Sequence, residues 1–242
     1  MQSQNDAISA FSSNRHSINF TLNYSKVTYQ RLTGTREVYT PIEAGIKGGY
    51  KYIYFINNNL ASYVGINGEI LSNAFEYIFE ENEYGNQTSH WSGFNTKPFL
   101  MSLPLGISYS KYKKHNAISL SFEIQFIKAP RQDGKYFDYF ENIDGTYDTL
   151  FVSSFKYKTN VFAGFLAGIS YKRLLKNQNI IAFTYEYRIT PYNFLSNKYF
   201  FAETTKYPAS QGELTSTANY FGFMVSYEFA FGRKSFDNHI HY

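Results

Sequence analysis

The sequence predicts an all-β chain: an eight-stranded antiparallel up-and-down transmembrane β-barrel. Three observations carry that expectation. Apolar and polar residues alternate with a period of two through eight separate stretches. The joints between those stretches are short and long by turns. No run reaches the roughly 18 to 20 apolar residues of a spanning helix; the nearest, Val161 to Ile169, is short and contains Gly164 and Gly168.

The clearest stretch is AISLSFEIQF, Ala117 to Phe126, where Ile118, Leu120, Phe122, Ile124 and Phe126 alternate with Ser119, Ser121, Glu123 and Gln125. A helix would scatter these apolar residues around its axis. The others follow in order. The first strand shows Ile18, Phe20, Leu22 and Tyr24, and the second Ala44, Ile46, Tyr50, Tyr52 and Tyr54. The third shows Val64, Ile66 and Ile70, and the fourth Phe99, Met101, Leu103, Leu105, Ile107 and Tyr109. After the fifth, quoted above, the sixth shows Val161, Ala163, Phe165, Ala167, Ile169 and Tyr171. The seventh carries Ile181, Phe183, Tyr185, Tyr187 and Ile189, and the eighth Phe221, Phe223, Val225, Tyr227, Phe229 and Phe231. Each is near the roughly 9 to 11 residues with which a tilted strand crosses a bilayer.

Strands two and three are joined at Asn57 to Asn59, four and five at Lys113 to Asn116, and six and seven at Lys176 to Asn179, all hairpin-turn compositions. The remaining joints are long: about Gln30 to Pro41, Ala74 to Lys97, Ala129 to Tyr157 and Thr190 to Ser216. Short turns at one end and long loops at the other are the pattern of outer-membrane barrels, and an even strand number puts both termini on the short-turn, periplasmic side.

The faces opposite the apolar ones are polar, with Asn19, Asn23, Lys47, Lys51, Asn67, Glu69, Glu123, Gln125, Glu186, Arg188 and Glu228. Basic residues facing lipid at mid-membrane cost about 2 to 4 kcal/mol each, so this face belongs inside. The expected lumen network is Lys47, Lys51 and Arg188 against Glu69, Glu123, Glu186 and Glu228, with Lys47 opposite Glu69 across the second hairpin. A soluble lipocalin-like barrel would turn the pattern inside out. Its narrow interior would then have to hold the aromatic face, and Gly45, Gly49, Gly65, Gly106, Gly164, Gly168 and Gly222 lie on the polar face, where crowding is worst.

Composition limits function. The 242 residues are 20% aromatic and 17% charged, with a net charge of +4 spread too evenly for nucleic acid binding. There is no cysteine, which removes disulfides, thiolate metal sites and cysteine nucleophiles. The opening MQSQNDAISAFSSN is not a signal peptide, so an exported chain has lost its signal; residues 1–15 are expected to be a flexible periplasmic segment, 16–232 the barrel, and 233–242 a periplasmic tail.

FLMSLPLGISYSKY, Phe99 to Tyr112, with Pro104 inside a spanning strand, and the closing YFGFMVSYEFAFG, Tyr220 to Gly232, resemble the Bacteroidota outer-membrane β-barrel proteins of OmpA-like and PorT-like type. The last strand also resembles a barrel-assembly signal, with Gly222, Val225, Tyr227 and Phe229 in place. The resemblance implies fold and outer-membrane location. It further implies a PorT-like alternative role as subunit of a machine for secretion, barrel assembly or nutrient uptake. The GRKSFDNHIHY tail departs from barrels that end on the terminal aromatic.

An eight-stranded barrel is just filled by side chains, so a general solute pore is not expected and specific function should sit in loops. His90 and Trp91 in the second loop, and Tyr136, Phe137, Tyr139 and Phe140 in the third, form a candidate recognition surface for a protein or glycan. The competing reading is that the strands run on beyond the membrane and these rings pack on one another or sit in the lipid headgroup belt. Asp144 to Asp148 with Glu141 lacks the spacing of a calcium loop, and His239 and His241 read as an unstructured tail, so no metal or cofactor is expected. A lipid-modifying enzyme would need a base near a nucleophile, and only His90 with Ser89 or Ser92 offers one. The expected function is non-enzymatic, structural or accessory, binding a partner through the extracellular loops or the barrel wall, with outer-membrane lipid and an envelope-complex protein as the candidate partners. The short-turn end reads as a basic rim that includes Lys111, Lys113, Lys172, Arg173 and Lys176.

Overall fold

The computed structural model describes residues 11–34, 36, 38–80, 90–129, 133–141, 147–157, 161–204 and 206–230. Eight strands close into one antiparallel barrel: β1 (Arg15–Ser25), β3 (Glu43–Phe55), β4 (Leu60–Ile70), β7 (Phe99–Lys113), β8 (Asn116–Lys128), β11 (Val161–Leu174), β12 (Ile180–Ile189) and β15 (Tyr220–Phe229). Each pairs with its sequence neighbour in the ring, and β1 closes against β15 with Ile18 opposite Tyr227. The apolar face of every strand points outward: Ile18, Phe20, Leu103, Phe122, Phe165, Phe183 and Phe223 are all exposed, while the intervening polar residues are buried. The alternation therefore has the membrane sense, and the chain is a transmembrane β-barrel. Among the described residues no helix is long and apolar enough to cross a membrane.

The three short connections are tight. Lys114 and Gln178 take positive φ (56° and 64°) in the second and third of them, and Asn57 and Asn177 accept backbone N–H bonds through their side chains. One ladder is interrupted. Pro104 has no N–H, and β4 pairs with β7 only on either side of it, at Val64–Leu105 and Asn67–Ser102.

The four long joints are not bare loops: strands run on through them, as the competing reading held. They contain β2 (Thr28–Thr33), β5 (Asn73–Phe79), β6 (His90–Thr96), β9 (Gly134–Glu141), β10 (Tyr147–Tyr157), β13 (Leu195–Phe201) and β14 (Ser210–Ser216). Five of these form a second sheet in the order β2-β14-β13-β10-β9, and β5-β6 is a separate hairpin. The cause lies in the sequence: Phe75, Tyr77 and Phe79 alternate as strictly as any barrel strand, as do Phe151, Ser153 and Phe155. Those inward rings close a core of Phe75, Tyr77, Phe79, Phe151, Tyr199, Phe201 and Leu214 between sheet and hairpin. Burying an aromatic side chain contributes about 1.5 to 3 kcal/mol, enough in sum to hold strands that lipid does not support. By the short-turn rule this end is extracellular.

The segment expected to be flexible is ordered at its end. Phe11 is 1% exposed, its ring tilted against that of Tyr112 at 5.0 Å and packed with Ala117 and Ile180 at the short-turn mouth. Residues 231–242, including His239 and His241, and the central part of the candidate calcium loop, Asp144 to Thr146, lie outside the described residues.

Candidate functional site: a filled lumen and an extracellular platform

Inward positions on β3, β4, β8, β12 and β15 bring charges together across the barrel. Lys47 does stand opposite Glu69 in the β3–β4 register. Its ammonium nevertheless turns to Glu186, and it also donates to the Tyr220 hydroxyl at 2.5 Å. Glu69 is taken instead by Arg188, whose Nη1 and Nη2 reach its two oxygens at 2.5 and 3.1 Å. A planar guanidinium matches both carboxylate oxygens at once, so it holds this partner better than a lysine can.

Further hydrogen bonds and ring contacts surround these two pairs. Arg188 Nε donates to the Ala218 carbonyl at 2.9 Å, and Asn23 donates to Glu69 at 2.9 Å. Tyr220 lies under both cations, 4.3 Å from the Arg188 guanidinium and 5.1 Å from the Lys47 ammonium, and its hydroxyl donates to Glu186 at 2.7 Å. Lys51 pairs with Glu123 at 2.6 Å and stacks 4.7 Å over Tyr63, and Gln125 donates to Glu123. Tyr63 can lie against the wall because position 106 is glycine; a Cβ there would stand 2.3 Å from its ring. Buried charges are tolerable only when paired and hydrogen-bonded in this way.

Nearer the periplasm Glu228 pairs with Lys172 at 2.7 Å. Lys172 belongs to the lumen and not to the basic rim that the sequence predicts, because it lies an even number of positions from the inward Gly168 and Ser170. Around it Ser170 bonds Thr184 at 2.8 Å and Ser110 bonds Ser119 at 2.6 Å. A cavity of about 50 Å³ remains among these side chains. A larger concavity, about 660 Å³ around Val64, Ile107 and Phe122, is on the lipid-facing wall. Tyr220, Tyr63 and Lys172 were missed as lumen residues; for Tyr63 and Tyr220 the signal was an aromatic on the polar face of a strand.

At the extracellular mouth a second apolar cluster, including Leu100, Ile127, Phe162, Leu166 and Phe194, covers the ion network. Above it the candidate recognition rings divide. Tyr136 turns inward, stacked 5.4 Å from Phe94, so the reading in which strands extend and rings pack on one another holds for it. Phe137 and Tyr139 point outward, stacked on each other at 5.8 Å. Asp138 faces inward and accepts from Tyr77 at 3.0 Å and from Ser92 at 2.6 Å. Ser92 is thus engaged by a carboxylate in a structural contact. The backbones of His90 and Trp91 belong to β6 and that of Phe140 to β9, but their side chains, and Ser89, lie outside the described residues.

A latch ties the joints together. Arg36 is surrounded by the rings of Phe79, Phe201 and Tyr207 at 4.9 to 5.0 Å and donates to the Ile78 carbonyl at 2.9 Å. Nearby, Tyr207 and Lys206 both donate to Glu80, and together they hold its carboxyl below the usual carboxylate range.

No family model matches this sequence, and no curated protein does. Solved structures do. The outer membrane protein OprG from Pseudomonas aeruginosa is 9% identical, with 90% of this chain and 96% of that one covered at a TM-score of 0.45. Neisserial surface protein A is 10% identical over 88% and 97%, at 0.38. Ail, the attachment invasion locus protein of Yersinia pestis, is 13% identical over 89% and 97%, at 0.33. At these TM-scores the likeness carries no argument of its own, and the fold is read from the strands themselves. The closed ring, outward apolar belt and ion-filled interior define the chain as a bacterial outer-membrane barrel. The narrower Bacteroidota PorT-like resemblance rests on the two sequence motifs alone.

Proposed function

We propose that this is a non-enzymatic outer-membrane barrel that is sealed to solutes and acts through the sheet it holds above the membrane. The observation that carries the reading is the vertical order of the lumen: Phe11 and Tyr112 at the bottom, the Lys172–Glu228 and Lys51–Glu123 pairs above them, then Arg188–Glu69, then Phe194 and Leu166 at the top. A barrel filled this completely serves as a rigid stalk. Its extracellular sheet has its own aromatic core, which gives the outward residues fixed positions, as recognition surfaces require.

Planar-bilayer recording tests the sealed state. The folded full chain should insert without producing steady conductance steps, and a stable ohmic conductance would overturn the reading. The PorT-like alternative, membership of an envelope machine, predicts a stable complex on extraction in mild detergent; migration as a single barrel would count against it.

A further inference from the structure

We infer that the outward face of the extracellular sheet, over β9, β10 and β13, binds the phosphorylated headgroup of an outer-leaflet glycolipid of the lipid A class. The inference rests on the platform reading above and names its ligand.

The face is identified by what lies behind it. On β10 and β13, Phe151, Tyr199 and Phe201 are in the extracellular core, and Ser153 bonds Asn197 at 2.7 Å. The residues between them must therefore face out. In register, Lys135 of β9 stands opposite Ser154, and Ser154 opposite Lys198 of β13. One row further from the barrel, Phe137 stands opposite Val152 and Val152 opposite Phe200. Lys156 lies on the same face one row nearer the barrel. Just below, Lys128 ends the outward series Ile124, Phe126 on β8 and pairs with Val161 at the top of the apolar belt.

Height and chemistry decide the ligand. Where outward aromatics give way to lysines is the boundary between hydrocarbon and headgroup. Lys128, Lys135, Lys156 and Lys198 are all exposed, and among the described residues none of their ammonium groups has an ion-pair or hydrogen-bond partner. Two acids are near: Glu213 beside Lys198, accepting from Ser196 at 2.5 Å, and Asp133 at the foot of β9. The balance remains basic. A row of lysines at this height faces phosphate. The rings immediately above it, with Phe137 39% and Phe200 44% exposed, then meet the sugars that carry the phosphate.

The full chain in non-ionic detergent is titrated with bis-phosphorylated lipid A, mono-phosphorylated lipid A and phosphatidylcholine, and bound lipid is counted by native mass spectrometry. Affinity should fall in that order. Each lysine near an anionic surface contributes about a fivefold effect, so the Lys135→Gln, Lys156→Gln, Lys198→Gln variant should bind bis-phosphorylated lipid A about a hundredfold more weakly. Its heat-dependent gel mobility verifies that it is folded. Equal binding by this variant, equal binding of phosphatidylcholine, or displacement of lipid A by inorganic phosphate or by polyglutamate would overturn the inference. A chain that conducts yet binds lipid A through these lysines loses only the sealed-barrel reading; a sealed chain indifferent to lipid A loses only this one.

Discussion

Arg188 and Glu69 stand on β12 and β4, apart in the barrel ring, and are joined across the lumen by two charge-assisted hydrogen bonds, both side chains being excluded from solvent. Each is the other's principal counter-charge. Removing one partner of such a pair leaves an uncompensated buried ion, which costs about 3 to 5 kcal/mol. Arg188→Ala should lower stability by about that amount in urea unfolding followed by circular dichroism in detergent. Adding Glu69→Gln to it should recover a large part of the loss. No recovery would mean the pair is not the source of the effect.

Tyr220 holds Lys47, Glu186 and Arg188 together through both its hydroxyl and its ring. Tyr220→Phe keeps the ring and removes the hydroxyl, so it should cost about 1.5 to 3 kcal/mol per hydrogen bond to a charged group as an upper bound. Tyr220→Leu should cost more, because the cation–π contacts go as well. Equal losses in the two variants would show that the ring contributes nothing.

Arg36 acts on the extracellular sheet alone. Arg36→Ala removes a guanidinium enclosed by three rings, a contact worth about 2 kcal/mol when desolvated. The barrel should keep its heat-dependent gel mobility while protease cuts the segment between Thr33 and Ile42 faster. Loss of the barrel's own resistance would show that the two cores unfold together.

Glu80 gives the platform a pH dependence. Its carboxyl is held below its ordinary value of 4.5 by the hydroxyl of Tyr207 and by Lys206. A depressed folded-state value means that the contribution is present above about pH 4.5 and is lost as pH falls through the lower, folded value. Protease cleavage near Tyr207 should therefore rise below pH 4.5 in the native chain and be independent of pH there in Glu80→Gln. The same acid response in both would exclude this carboxylate.

The barrel was readable because lipid and a filled lumen impose one rule on every strand: apolar side chains out, polar in. Phe122 and Glu123 obey it as neighbours. The extracellular sheet was harder to see for a physical reason. Tyr136 and Phe137 are also neighbours, yet one joins a protein core and the other faces out, and two rings in succession do not reveal which is which. Register placed Lys47 opposite Glu69, but the choice between Glu69 and Glu186 depends on which cations the opposite wall supplies. That is a property of the closed ring, and no single hairpin contains it. Lys172 shows the same limit, since a lysine near a turn reads as rim until its face is fixed by the strand it ends.

The central claim is the direction in which this barrel faces, and the absence of native cysteine makes it directly testable. Spin labels placed one at a time on cysteines at positions 120 to 126 of the reconstituted chain should show collisions with oxygen dissolved in the bilayer at 120, 122, 124 and 126. They should be shielded from it at 121, 123 and 125. High oxygen accessibility at 123 and 125, with shielding at 122 and 124, would contradict the account.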